Sequence, residues 1–389
     1  MKAEEITAKF DALFGDLPLI VRSPGRINLI GEHTDYNEGF VLPAAIDKEI
    51  YLAFSKSEGD TCSIYSYDYQ EMKTFSLLNL TPEPQGWINY ITGVVAQLHA
   101  ASHPIGAFNC VFGGNIPIGA GLSSSAALEN GVCFGLSTLF DLKLDRLSMV
   151  KYSLKAEHEF AGVACGIMDQ FASMMGKASH AIQLDCRNLA YNYFPLDLGE
   201  YQLILCDTKV EHALADSEYN QRRRECEMGV AAVKNYFTGI NSLRDVSFEM
   251  LDTVKVELPS AVYDRCSYVL EENERLLMGC RLLESGDVVG FGKLMYGSHD
   301  GLSKKYEVSC AELDFLVEFT RGRDEVVGAR MMGGGFGGCT INLVKKDGKT
   351  QLINDIRAAF RERFRRFPEV YEVNITDGTS LLEREKLRP

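Results

Sequence analysis

The segment Ile116-Pro117-Ile118-Gly119-Ala120-Gly121-Leu122-Ser123-Ser124-Ser125-Ala126-Ala127 runs two glycines and three serines into a stretch patterned as a helix. Leu128, Val132, Leu136 and Leu139 follow at i, i+4, i+8 and i+11, one apolar face of that helix. Glycines let the backbone approach a ligand closely, and the free N–H groups of a helix start carry the positive end of its dipole. The two together predict a cradle for an anion such as phosphate. A serine-rich cap on a tight turn is the plainer alternative, and paired glycines beside three hydroxyls favour the cradle. A P-loop is excluded because no lysine follows the glycines. A nucleophile elbow would need glycine where Ser125 stands.

Outward from this segment, strand and helix signals mix without strict alternation. Leu17 to Arg22, Phe40 to Phe54, Cys62 to Tyr69 and Ala107 to Phe112 read as strands, as do Ala181 to Cys186 and Tyr201 to Asp207. A helix is expected over Leu147 to Phe160, ending near Gly162. The second half opens with helices over Ser217 to Tyr236, Tyr263 to Leu283 and Ser303 to Phe319. It closes with a strand (Cys339 to Lys345), a helix (Gln351 to Phe364) and a strand (Val370 to Ile375). The pattern predicts an α+β protein in two lobes, residues 1–200 and 201–389.

The whole chain of 389 residues carries 40 Lys+Arg against 54 Asp+Glu, a net charge of −14. Such a balance disfavours nucleic acid and anionic membranes as partners. Neither a secretory leader after Met1-Lys2 nor an apolar run of about 18 residues is expected. The 11 cysteines are odd in number and lack any Cys-x-x-Cys pair, which suits free thiols in a reducing cytoplasm. An acidic chain that binds a polyanion must supply fixed backbone donors or a metal.

Three further segments carry chemistry. Gly25-Arg26-Ile27-Asn28-Leu29-Ile30-Gly31-Glu32-His33-Thr34-Asp35-Tyr36 packs a cation, carboxylates and an imidazole between strands. Short polar groups at that density suit a polyhydroxylated ligand, although a capped polar loop is the bland reading. Glu157 and Asp169 lie on either side of a helix break at Gly162 to Gly166 and can converge. Gly333-Gly334-Gly335-Phe336-Gly337-Gly338 matches a dinucleotide fingerprint literally, but it runs into a strand, and that fingerprint must open a helix. Arg222-Arg223-Arg224 and the arginines of 361–366 read as solvated helix faces.

Taken together, these segments resemble the galactokinases, a branch of the small-molecule kinases that includes homoserine, mevalonate and phosphomevalonate kinases. Gly25 to Tyr36 looks like the galactokinase signature, Pro117 to Ala126 like the family phosphate loop, and Val327 to Gly338 like its third motif. The resemblance implies a mixed-sheet N-terminal lobe and a ferredoxin-like C-terminal lobe, with the active site between them. It implies ATP and Mg²⁺ as cofactors and phosphorylation of the galactose C1 hydroxyl.

By resemblance, Asp169 and Arg26 would be catalytic, and Glu32, His33, Thr34, Asp35, Gly166 and Tyr219 would hold the sugar. Ser66 and the loop Gly119, Ala120, Gly121, Leu122, Ser123, Ser124 and Ser125 would bind the nucleotide. Ser125 and Glu157 would ligate the metal, and residues 334–338 would buttress the phosphate loop away from the chemistry. A cytoplasmic monomer acting on sugar and ATP is expected. Glu38 departs from the family, which usually has glycine there. An N-acetylgalactosamine or arabinose kinase, or a non-catalytic galactose sensor, would share most of these motifs, and the intact serine run favours an active enzyme.

Overall fold

Strand Tyr201–Asp207 shows how the sequence pattern builds layers. Leu203 and Leu205 face one apolar core while Ile204 and Cys206 face another, the two-residue period of a strand buried on both sides. The structure, a computed structural model, describes residues 3–117, 119–210 and 215–382. Met1, Lys2 and Ile118, quoted above, lie outside the described residues.

The first sheet places side by side β13 (Ser380–Leu381), β1 (Leu19–Asn28), β3 (Pro43–Lys56), β6 (Phe108–Gly114), β4 (Thr61–Ser66) and β5 (Glu71–Ser76). Helices α3 (Ser124–Leu139) and α5 (Met168–Met175) pack on β1 and β3, with α2 (Ile88–Ala100) and α4 (Arg146–Ala156) behind them. Helix α1 (Ala3–Phe14) packs on β3 and β6, closing a separate core of Ile6, Phe10, Ile20 and Val111. A small sheet of β2 (Phe40–Val41), β7 (His180–Asp185) and β8 (Tyr191–Pro195) stands beside it.

The second lobe is a four-stranded antiparallel sheet ordered β10 (Val326–Met331), β11 (Cys339–Lys345), β9 (Tyr201–Asp207) and β12 (Glu369–Glu372). Helices α6 (Ala215–Lys234), α7 (Phe248–Thr253), α8 (Ser260–Glu284), α9 (Val288–Gly301) and α10 (Ala311–Thr320) separate β9 from β10. Helix α11 (Lys349–Phe364) separates β11 from β12, which gives the β-α-β-β-α-β connectivity of ferredoxin-like folds. The main apolar core runs from Leu52 and Phe54 of the first sheet to Leu205 and Ile341 of the second. Strand β9 begins at the expected lobe boundary, but the chain later crosses back: Leu381 pairs with Val21, and Ile375 bridges Ile46.

Two expectations fail here for identifiable reasons. The helix expected over residues 303–319 is broken: a π-helical turn (Leu302–Tyr306) ends at Glu307, whose φ is 52°, and α10 starts only at Ala311. The freed carbonyls of Tyr306 and Glu307 accept from Arg222, at 2.8 Å each. Arg222 is therefore buried rather than solvated, although Arg224 of the same run is exposed.

Helix α9 contains four glycines, and Gly292 shows why. A Cβ there would stand 2.2 Å from the Val327 carbonyl oxygen, so helix and strand meet backbone to backbone. Gly292→Ala must push α9 off β10. The expected destabilisation is about 1–3 kcal/mol, the cost of overpacking, read as a lower urea midpoint at unchanged m-value. An unchanged midpoint would show that the helix shifts without loss.

Candidate active site

The pairing register of β1 on β3 shifts between Pro24 and Arg26. Gly25 makes this bulge possible, because a Cβ there would lie 2.5 Å from the Leu122 carbonyl oxygen. Bulges re-aim side chains, and this one sends Arg26 under the loop that precedes α3. The Arg26 backbone N–H donates to Leu122 O at 3.1 Å, and Nη1 donates to Gly121 O at 2.6 Å. Nε and Nη2 each donate to one oxygen of Asp169 at 2.8 Å, a bidentate pair. Burial opposes the charge on Arg26, but Asp169 and Glu32 outweigh it and raise its pKa.

The loop itself is built as a cradle. Ala120 and Leu122 are buried anchors, whereas Gly119 and Gly121 are exposed at φ 75° and 73°. Ser123 stands at the N-cap of α3 with φ 61° and makes no capping hydrogen bond. Its hydroxyl donates to Asp169 instead. The first-turn N–H groups of α3 thus lack a side-chain cap, the condition for holding an anion.

A cavity of about 180 Å³ opens beside the Arg26–Asp169 pair. Glu32, His33, Asp35, Glu157, Gly166 and Tyr219 share its wall with that pair. Of the residues expected at a sugar site, only Thr34 is outside it. The Thr34 hydroxyl is spent on the turn, its one hydrogen shared between Gly31 O at 2.9 Å and Phe40 O at 2.5 Å. Ser66 is buried at the end of β4, where its Oγ accepts from the Tyr69 N–H at 3.4 Å, and it too is outside the cavity. The glycine run does more than buttress. A Cβ on Gly338 would stand 3.4 Å from Ala120 O, so the run does lie on the loop, but residues 333–336 also line the cavity.

Ser125 and Glu157 come near each other, and the Ser125 hydroxyl favours the ionised form of the Glu157 carboxyl. Burial, assisted by the Asp169 charge, pushes the Glu157 carboxyl up to about 7. Beneath it lies Glu129, fully buried on α3, which sequence reasoning missed. Gln170 Nε2 donates to both carboxyls, and burial beside Glu157 raises the Glu129 pKa well above its ordinary value. Also missed were Arg330 and Glu272, which fix the turn after β1 from the other lobe. Arg330 meets Glu32 at 3.0 Å, and Glu272 accepts from the Gly31 N–H at 2.9 Å. Nothing in their local sequence marks them.

Comparison with known proteins decides the family. The pattern described as "Galactokinase galactose-binding signature" matches residues 8–56, and the N-terminal and C-terminal domains of GHMP kinases match residues 89–177 and 281–362. A galactokinase of Thermotoga neapolitana is 41% identical over 92% of this chain and 98% of its own, and one of Roseiflexus is 39% identical over 96% of each. The chain belongs to the galactokinase family. It is a sugar kinase. The crystal structure of Lactococcus lactis galactokinase complexed with galactose superposes with a TM-score of 0.94 at 34% identity, covering 97% of this chain and 99% of the other. Methanococcus jannaschii mevalonate kinase, at 18% identity and a TM-score of 0.65, covering 93% of this chain and 99% of its own, shares the fold.

Asp35 gives the site a signature in pH. It lines the cavity, and burial, reinforced by Asp169, raises its carboxyl to about 7 from 3.8. Between those values the folded protein holds a proton that the unfolded chain has released, so stability falls as pH rises through this window. Asp35→Asn removes the group and should flatten the decline in melting temperature between pH 5 and pH 8, measured without sugar. Wild-type and variant curves that run parallel across this range would exclude Asp35 as the source.

Proposed function

We propose that this chain transfers the γ-phosphoryl group of ATP to the C1 hydroxyl of galactose. The observation that carries the reading is the Arg26–Asp169 pair, set between a sugar-sized cavity and a glycine–serine loop. The family membership and the galactose complex of the Lactococcus lactis relative support galactose as the sugar.

In this reading Glu32, His33, Asp35, Gly166 and Tyr219 hold the sugar, and Gly119 to Ser125 hold the triphosphate. A carboxylate offers about four acceptor positions. Arg26 takes two of those on Asp169 and Ser123 takes one, which leaves room for one sugar hydroxyl. Asp169 then accepts the hydroxyl proton as the new O–P bond forms. Arg26 stabilises the charge on the transferring group and holds Asp169 in place. Glycine at position 166 is required sterically, because a Cβ there would lie 1.9 Å from Asp35 Oδ2.

Among the described residues, no group of three or more His, Cys, Asp and Glu side chains is arranged around a metal. Mg²⁺ does not need one, since it is usually held by one or two carboxylates, water and substrate phosphates. The hard oxygen donors of Ser125 and Glu157 fit that requirement, and there Mg²⁺ would neutralise phosphate charge. We read the protein as a cytoplasmic monomer. All eleven cysteines are free thiols, which suits a reducing compartment.

A coupled assay of ATP consumption over galactose, glucose, N-acetylgalactosamine and arabinose tests the reading directly. Galactose is expected to be turned over best, and failure on galactose would refute it. Asp169→Asn should abolish turnover with the fold retained, and near-normal kcat would remove Asp169 from the chemistry. Arg26→Ala should lower kcat by about 10²–10³ with smaller changes in KM, and Arg26→Lys, which keeps the charge but loses the planar fork, should recover only part of it. A loss confined to sugar affinity would make Arg26 structural.

Glu157→Gln should raise the Mg²⁺ concentration needed for half-maximal rate while galactose binding without nucleotide stays near normal. Collapse of galactose binding would reassign Glu157 to the sugar.

A further inference from the structure

His33 is buried at 3% exposure, and its ring packs against Tyr306 and Tyr219, with centroids 4.8 and 5.3 Å away. Its Nδ1 lies 2.8 Å from the Tyr36 hydroxyl, which lies 2.8 Å from the Tyr306 hydroxyl, itself 3.2 Å from Cys226 Sγ. The other ring nitrogen, Nε2, is buried and has no hydrogen-bond partner, and His33 forms part of the cavity wall. Burial lowers the imidazole pKa to about 3, with further repulsion from Arg222 and Arg330, so the ring is neutral and carries one proton.

Each hydroxyl in this chain has one hydrogen, so the donors must all point the same way. Pointing away from His33, the chain would end on a thiol sulfur, a weak acceptor. Pointing toward His33, it ends with a phenol donating to an imidazole nitrogen, a much better match of donor and acceptor.

We propose that Cys226, Tyr306 and Tyr36 are positioning residues whose hydrogens all point toward His33, fixing it as the Nε2–H tautomer. His33 is thereby held as one tautomer in the wall of the cavity. Any effect on sugar binding rests on the sugar-kinase reading; the tautomer does not.

The test is nitrogen NMR on protein labelled at histidine, without sugar or nucleotide. In the wild type, His33 Nε2 is expected to resonate as a protonated nitrogen and Nδ1 as an unprotonated, hydrogen-bonded one. A protonated Nδ1 would overturn the proposal. Tyr36→Phe should move the Nδ1 resonance toward that of a free nitrogen and raise the sugar KM about tenfold, the scale of one buried hydrogen bond, with the ATP KM unchanged. An unmoved Nδ1 resonance overturns it. Should Tyr36→Phe fold poorly, Tyr306→Phe carries the same comparison with a smaller shift, and no shift there is equally fatal. Because the tautomer is read on the protein alone, failure of the galactose reading would leave this result standing.

Discussion

Arg330 has no surface open to solvent, and a guanidinium cannot give up its charge. The fold has to surround it with acceptors. Its donors go to the carbonyls of Asn28, Leu29 and Met331 and to the carboxylate of Glu32. Asn28, Leu29 and Glu32 belong to the end of β1 and the turn beyond it, whereas Arg330 and Met331 belong to β10 in the other lobe. Breaking a buried pair by removing one partner costs about 3–5 kcal/mol, so this charge ties the turn after β1 to the second sheet. Glu32 passes the constraint on by accepting the Gly333 N–H at 2.8 Å, which fixes the glycine run as a wall of the cavity. Glu272 does the same from α8, taking Gly31 N–H and the Ser298 hydroxyl.

The parts of the fold governed by local pattern were legible in the sequence. Strands β9 and β11 begin and end where the apolar alternation does, and α3 follows the spacing of Leu128, Val132 and Leu136. The parts governed by packing were not. Helix α9 carries four glycines because Gly292 must touch the backbone of β10, and that requirement is invisible in its own sequence. Helix α2 shows no clear apolar stripe because residues on most of its circumference are buried. The candidate site divides in the same way. Arg26, His33, Asp35, Glu157 and Asp169 stand out as polar groups near glycine turns or breaks, and they meet around one cavity. Arg330, Glu129 and Tyr306 act through partners distant in sequence, so no spacing rule could find them.

The site also answers how a chain of net charge −14 can receive a triphosphate. Positive character comes from backbone: the uncapped N-terminus of α3 and the glycine loop present N–H groups without adding a lysine. Negative character is held down by desolvation, which raises Asp35 and Glu157 to about 7 and Glu129 well above its ordinary value. Near neutral pH Asp35 and Glu157 are therefore partly protonated, and the cavity repels an anion less than its sequence suggests. Any donor or cation that a ligand brings favours their ionised forms again. In the function proposed above, the acids that would repel phosphate in water would become acceptors for sugar hydroxyls and metal once the cleft is filled. The burial that makes them costly to the folded chain is what makes that exchange available.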